Sequence, residues 1–231
     1  MSGYIQSNYF TDRTQAGKLI ADRLEKYRYD DTIVLSLSQG GILVVAEIAR
    51  QLHSLISILM VKDVLLPDGR TVIGTMNEIG GFVYNNSFSA GEIEELTMEY
   101  RGSIEQAKTQ ALHELHIALG QGGEISPDYF RYRTVIVVTD GALNGSAFDM
   151  AYDFLKRIAV KKVIMATAIA SVQAIDRMHI LADELVCLNP VEFIEDIDHY
   201  FTNNDMPDNR QVINILNDII LTWTKERQNT N

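Results

Sequence analysis

Two short stretches carry the residues best suited to chemistry. The first is Thr139-Asp140-Gly141-Ala142-Leu143-Asn144-Gly145-Ser146, between an apolar run at 134–138 and a helical pattern opening at Ser146. Glycines such as Gly141 and Gly145 permit close backbone approach, and free N–H groups at a helix start bind phosphate through hydrogen bonds and the helix dipole. Asp140 stands at the strand end, where a carboxylate accepts from sugar hydroxyls or holds water on Mg²⁺. The same residue types suit any strand-to-helix turn, so the loop alone leaves both readings open. The second stretch is Ser38-Gln39-Gly40-Gly41, after the apolar run 32–37. Lys62 ends a third run, at 56–62, and offers an ammonium to a phosphate or, equally well, to a surface salt bridge.

Other chemistry-bearing residues are weaker candidates. Glu78 lies in a hairpin turn. His113 and His116 share a helix face in His-Glu-Leu-His, but the spacing lacks a third metal ligand. His199-Tyr200-Phe201 offers aromatic faces for stacking or for packing. Cys187, the one cysteine, sits in Leu185-Val186-Cys187-Leu188 and reads as a buried, inert thiol. Walker-type, GxGxxG and nucleophile-elbow motifs are absent from the sequence.

These residues need elements to position them. Apolar, β-branched runs at 32–37, 56–62, 134–138, 162–169 and 184–188 read as buried strands. Segments at 11–27, 42–52, 146–157 and 172–181 read as helices, the first capped by Thr11. Short strands at 71–74 and 81–84, joined through 77–80, form a hairpin. A long polar helical stretch at 89–119 is one bent helix or two, and residues 209–225 form a terminal amphipathic helix. Strands alternating with helices imply parallel pairing through right-handed crossovers. The expected fold is therefore α/β: a central, mostly parallel sheet flanked by helices. A small hood of hairpin and helix is expected at about 65–125 and a C-terminal helix at about 208–226, all within one domain over 1–231. Ligands in such sheets sit at the carboxyl ends of the strands, which singles out the loops after Leu37, Val61 and Val138.

Composition bounds the partners. The 231 residues carry a net charge of −11 and a sequence pI of about 4.9. That balance argues against nucleic acid and against anionic membrane surfaces, both of which call for clustered Lys and Arg. A lone cysteine fits a reducing compartment. No signal peptide is read at the N-terminus and no run approaches a membrane span, so a cytoplasmic location is expected.

On these residues the chain resembles the type I phosphoribosyltransferase family, in particular a branch of predicted phosphoribosyltransferases. Val135-Ile136-Val137-Val138-Thr139-Asp140-Gly141-Ala142-Leu143-Asn144-Gly145-Ser146-Ala147 is similar to the family's phosphoribosyl loop. The segments at 10–24, 33–52, 58–64, 72–85 and 182–193 look like its opening helix, first strand with pyrophosphate turn, second strand, hairpin and last core strand.

The resemblance implies transfer of a phosphoribosyl group from phosphoribosyl pyrophosphate to a nitrogen base, usually with Mg²⁺, and often a homodimer. It implies that Asp140 engages the ribose and, through water, the metal. Thr139, Gly141, Ala142, Asn144, Gly145 and Ser146 would hold the 5′-phosphate. Ser38, Gln39, Gly40 and Gly41 would form the pyrophosphate turn, and Lys62 would neutralise pyrophosphate. The chain also departs from the pattern. Thr139 replaces the first of two acids, Asn144 a threonine, Ala147 a hydroxyl residue, and Gln39 an arginine. Two lost charge contacts cost on the order of 10³-fold or more in rate if nothing replaces them. Three readings follow: an active but divergent transferase, a non-catalytic relative that binds a phosphorylated nucleotide, and an interaction scaffold.

Overall fold

The continuous apolar runs become strands buried on both faces, as a parallel sheet between two helical layers requires. The computed structural model describes residues 10–119 and 126–207 and, beyond them, 211, 212, 214, 215 and 219. Its main sheet has five parallel strands: β1 (Thr32–Ser36), β2 (Leu55–Ile58), β6 (Thr134–Ala142), β7 (Lys162–Ser171) and β8 (Glu184–Val191). Their order is β2-β1-β6-β7-β8. Every residue of β1 and of β6 is buried.

Helices α1 (Arg13–Arg23) and α2 (Gln39–Leu52) cover one face. Ile20, Leu24, Val45 and Ile48 pack there against Val34, Ile136 and Ile164 of the sheet. Helices α4 (Ser146–Leu155) and α5 (Val172–Leu181) cover the other face, where Phe148, Leu155 and Met178 meet Leu35, Val137 and Met165. The expected terminal helix lies largely outside the described residues. Its described members are helical, and Ile219 is buried in the first of these cores.

The hood is a separate antiparallel sheet, β3 (Val61–Leu65), β4 (Val72–Asn77) and β5 (Phe82–Tyr84), in that order. It is closed by α3 (Ala90–Leu119), whose Ile104 and Ala111 pack on Val64, Ile73 and Met76. The expected bend in this long helix falls at Tyr100, which leaves helical geometry (φ −109°, ψ 19°). Gly102-Ser103 follow after Arg101, the kind of pair at which helices kink.

Local boundaries differ from the sequence expectation in four places. Asp12, not Thr11, caps α1, its side chain accepting from the Gln15 amide at 2.7 Å. The expected strand at 56–62 is two strands in two sheets. After Ile58 the chain stays bonded to the end of β1 through Leu59 N to Ser36 O (2.8 Å) and Val61 N to Leu37 O (3.2 Å), then enters the hood. Strand β6 runs on to Ala142 by pairing with β7, with Gly141 opposite Ile169 and Ala142 opposite Ala170. Strand β8 runs past the expected 188, through Pro190 to Val191. As an edge strand it tolerates a residue with no donor.

Candidate functional site

The carboxyl ends of β1 and β6 lie side by side, and this brings the two chemistry-bearing stretches together. Ser38 caps α2, its hydroxyl oxygen accepting from the Gly41 amide at 2.9 Å. The same hydroxyl donates to Asp140 Oδ1 at 2.8 Å. Thr139 Oγ1 lies 3.4 Å from Ser38 Oγ and bonds the Gly141 carbonyl at 3.1 Å. Thr139 and Asp140 are both buried.

The other oxygen of Asp140 is taken by a residue the sequence reading did not single out. Arg13 Nε donates to Asp140 Oδ2 at 2.7 Å. Arg13 is 1% exposed. Its Nη2 donates to Asp198 Oδ1 at 2.5 Å and its Nη1 to Asn204 Oδ1 at 3.0 Å. Its guanidinium lies 4.4 Å from the ring centre of Phe201, in the aromatic cluster considered for base stacking. Phe201 is thereby committed to internal packing, against both Arg13 and Phe10. A sequence signal for Arg13 existed. It occupies the buried stripe of α1 together with Ala16, Gly17, Ile20 and Ala21, and a charge on an apolar stripe calls for a buried partner.

Gly40 follows from this ion pair. A Cβ at position 40 would fall 2.7 Å from Arg13 Nε and 2.8 Å from Asp140 Cγ. Gly141 is likewise crowded by Ile197, whose side chain would stand 2.8 Å from a Cβ. Gln39 donates through Nε2 to the Pro207 carbonyl at 2.7 Å. The chain at 194–207 thus packs against Gly141, Arg13 and Gln39 in turn.

The start of α4 holds the phosphate-loop candidates. Gly145 is its N-cap in the left-handed region (φ 79°), a conformation glycine adopts freely. The Ser146 amide donates to Asn144 Oδ1 at 3.0 Å and the Asp149 amide to the Gly145 carbonyl at 3.1 Å. The intervening amides of Ala147 and Phe148 have no carbonyl within the helix to bond. Ser146 Oγ donates to Asn144 Oδ1 at 2.8 Å and to Asp63 Oδ1 at 3.3 Å. Asp63, on β3, also accepts from Thr75 Oγ1 at 2.7 Å. Protein packed around its carboxyl raises the Asp63 pKa, against the lowering effect of those two hydroxyls, although the residue keeps access to solvent.

Lys62 points elsewhere. It is exposed, and its ammonium pairs with Glu114 of α3 at the edge of a cleft of about 450 Å³ between β3 and α3. Glu78, in the β4–β5 turn, keeps one carboxyl oxygen buried without a hydrogen-bond partner. Burial pushes its pKa up to about 7. His116 bonds the Glu78 carbonyl at 2.9 Å. Burial also lifts the Cys187 thiol to about 11, which leaves little thiolate at neutral pH.

The donor set is a poor match for a divalent metal. Asp140 has one oxygen on a guanidinium and the other on a hydroxyl. Among the described residues no three His, Cys, Asp or Glu side chains gather as metal ligands. No described helix is long and apolar enough to cross a membrane.

Comparison with known proteins bears on the whole arrangement. No family profile matches the chain. Two Mycobacterium tuberculosis proteins, from strains CDC 1551 and H37Rv and each named "Putative phosphoribosyl transferase", are 27% identical over 180 residues, or 78% of this chain. The aligned region is 40% of their length, so the chain spans well under half of these relatives. The crystal structure of TT1426 from Thermus thermophilus superposes with a TM-score of 0.66 at 23% identity, covering 90% of this chain and 97% of that one. A looser match, TM-score 0.46 at 10% identity over 78% of this chain and 73% of that one, is to a hypoxanthine phosphoribosyltransferase from Staphylococcus aureus. The resemblance to phosphoribosyltransferases drawn from the residues is thus met in the mycobacterial sequences. The expected architecture, a parallel sheet between helices with a small antiparallel hood, is the one observed.

Proposed function

We propose that the chain binds a phosphoribosyl ligand, either phosphoribosyl pyrophosphate or a nucleoside monophosphate, and transfers the phosphoribosyl group slowly or not at all. The 5′-phosphate would sit at the 139–147 loop, on the amide of Ala147 and the hydroxyl of Ser146. A helix start with unbonded amides favours an anion without any side-chain charge. The ribose would lie over Ser38, Thr139 and Asp140.

The observation that carries this reading is the engagement of Asp140, with Oδ2 on Arg13 and Oδ1 on Ser38. It is the one acid at the strand end, beside a threonine. Its remaining lone pairs can accept from a ribose hydroxyl, but its charge is already matched. Transfer requires stabilisation of an oxocarbenium-like centre and of the departing pyrophosphate. On the pyrophosphate side stands Gln39, neutral and bonded to the Pro207 carbonyl. Lys62 is paired within the hood. Binding therefore keeps more of its determinants than catalysis does. Because the donors suit a divalent metal poorly, no catalytic step is assigned to Mg²⁺.

A second reading, active transfer to a base, is favoured by the names of the mycobacterial relatives. One pair of assays separates the two. Calorimetric titration with phosphoribosyl pyrophosphate and with adenosine monophosphate measures binding, and pyrophosphate release with a panel of bases measures transfer. Binding without release is the expected result. Turnover by wild type with any base would make the slow-transfer reading wrong. The double variant Thr139→Asp, Gln39→Arg is expected to gain release or Mg²⁺-dependent affinity.

A further inference from the structure

Three side-chain oxygens from two parts of the chain, β6 and the segment at 194–207, converge on one guanidinium. Asp140 Oδ2 from β6 meets Nε at 2.7 Å, Asp198 Oδ1 meets Nη2 at 2.5 Å, and Asn204 Oδ1 meets Nη1 at 3.0 Å. Two carboxylates and a side-chain carbonyl around a buried positive centre are the oxygen donors a hard divalent cation would use. Here the cation is Arg13. Phe201 closes one face of the guanidinium, and Gly40 lacks the Cβ that would collide with the Arg13–Asp140 contact. We propose that Arg13 is the resident cation of this site: it positions Asp140 and stands in place of a divalent metal, so ligand recognition at the strand end is independent of metal.

The chemistry supports the substitution. A guanidinium is permanently charged and offers five donors in a fixed planar fork, three of which are used here on three different acceptors. A metal ion entering beside Asp140 would have to displace that fork and leave a buried, unpaired guanidinium, which is strongly unfavourable. Asp140 Oδ1 still faces Ser38 and the loop. The carboxylate is therefore held at Oδ2 by Arg13, while Oδ1, bonded to Ser38, keeps lone pairs for a further donor. Arg13 is on this view a positioning residue, acting on the ligand through Asp140.

The direct test uses Mn²⁺ as a paramagnetic probe, followed by electron paramagnetic resonance, with no phosphoribosyl ligand present. Wild type and Asp140→Asn are expected to bind Mn²⁺ alike. Arg13→Ser opens the three-oxygen cage and is expected to gain about tenfold or more in Mn²⁺ affinity. That gain should vanish in Arg13→Ser, Asp140→Asn. Mn²⁺ binding by wild type that is lost in Asp140→Asn would overturn the proposal, and this comparison stands even if Arg13→Ser does not fold. A folded Arg13→Ser with no gain would overturn it too.

A second arm rests on the ligand-binding reading above. Titration of wild type with adenosine monophosphate should give the same affinity in EDTA as in Mg²⁺, within about twofold. A loss of about tenfold in EDTA would contradict metal independence. Failure of adenosine monophosphate to bind in either buffer would defeat the ligand-binding reading alone, since the Mn²⁺ comparison decides the role of Arg13 by itself.

Discussion

Replacing Arg13 with alanine strands Asp140 in a buried position with its charge unmatched. Breaking one side of such a pair costs about 3–5 kcal/mol, more than most single substitutions. Urea unfolding of Arg13→Ala should register a loss of that size, whereas an ordinary exposed arginine such as Arg131 should register almost none. Gly40→Ala probes the same contact from the other side. Its Cβ would press on Arg13 and Asp140, so a cost of about 1–3 kcal/mol is expected. The cost should shrink in an Asp140→Ala background, and a double-mutant cycle measures that coupling. Glu78 gives a pH signature. Its folded pKa, about 7, lies above its ordinary 4.5 because burial disfavours the charged form. Stability tied to its protonated state is complete below 4.5 and is lost as pH rises to about 7. Glu78→Gln should therefore raise the melting temperature at about pH 8 and leave it nearly unchanged at about pH 4. An equal effect at both pH values would rule out the burial argument.

The expectations at Thr139 and Gln39 come from sequence because they concern residue type within a local pattern. The role of Arg13 does not, because its partner Asp140 lies 127 residues away and Asp198 lies 185 away. Only the apolar stripe of α1, interrupted by a charge, hinted at it.

At the scale of elements, the alternation of apolar runs and amphipathic segments was enough to place the strands and helices of the main sheet. Its boundaries were less legible. Small residues such as Gly141 and Ala142 carry no periodicity, so the pairing that extends β6 becomes visible only once β7 lies beside it. Lys62 reads as the end of a core strand because Leu59 and Met60 continue the apolar run across a change of sheet. That change puts Asp63 rather than Lys62 against the start of α4. A carboxylate 3.3 Å from Ser146 Oγ opposes an incoming phosphate. Asp63→Asn should tighten adenosine monophosphate binding by about two- to fivefold at low ionic strength and about pH 8. The gain should fade at high salt, where charges a few ångströms apart near solvent are screened. Weaker binding by Asp63→Asn would mean the carboxylate contributes to the ligand site instead of guarding it.

At the scale of the whole molecule, the sheet order β2-β1-β6-β7-β8 sets the ends of β1 and β6 side by side, and the site exists because of that adjacency. Two features of the assembly lay beyond any local pattern. The hood docks on α4 through Asp63 to Ser146 and through Asn77 Nδ2 to Met150 Sδ at 3.2 Å. The chain at 194–207 returns across the site and binds Arg13 and Gln39. Both rest on polar groups that meet across long stretches of sequence, for which hydrophobic periodicity carries no signal. In the proposed site, the helix start meant for phosphate keeps amides with no helical carbonyl to bond, while Asp140 is paired with Arg13. Phosphorus NMR of phosphoribosyl pyrophosphate mixed with the protein and a panel of purine and pyrimidine bases tests that claim most directly, because one spectrum reads both binding and transfer. The 5′-phosphate resonance should shift and broaden, with no free pyrophosphate growing in with any base. Pyrophosphate accumulating above the protein-free control, or a 5′-phosphate resonance untouched by the protein, would contradict the account.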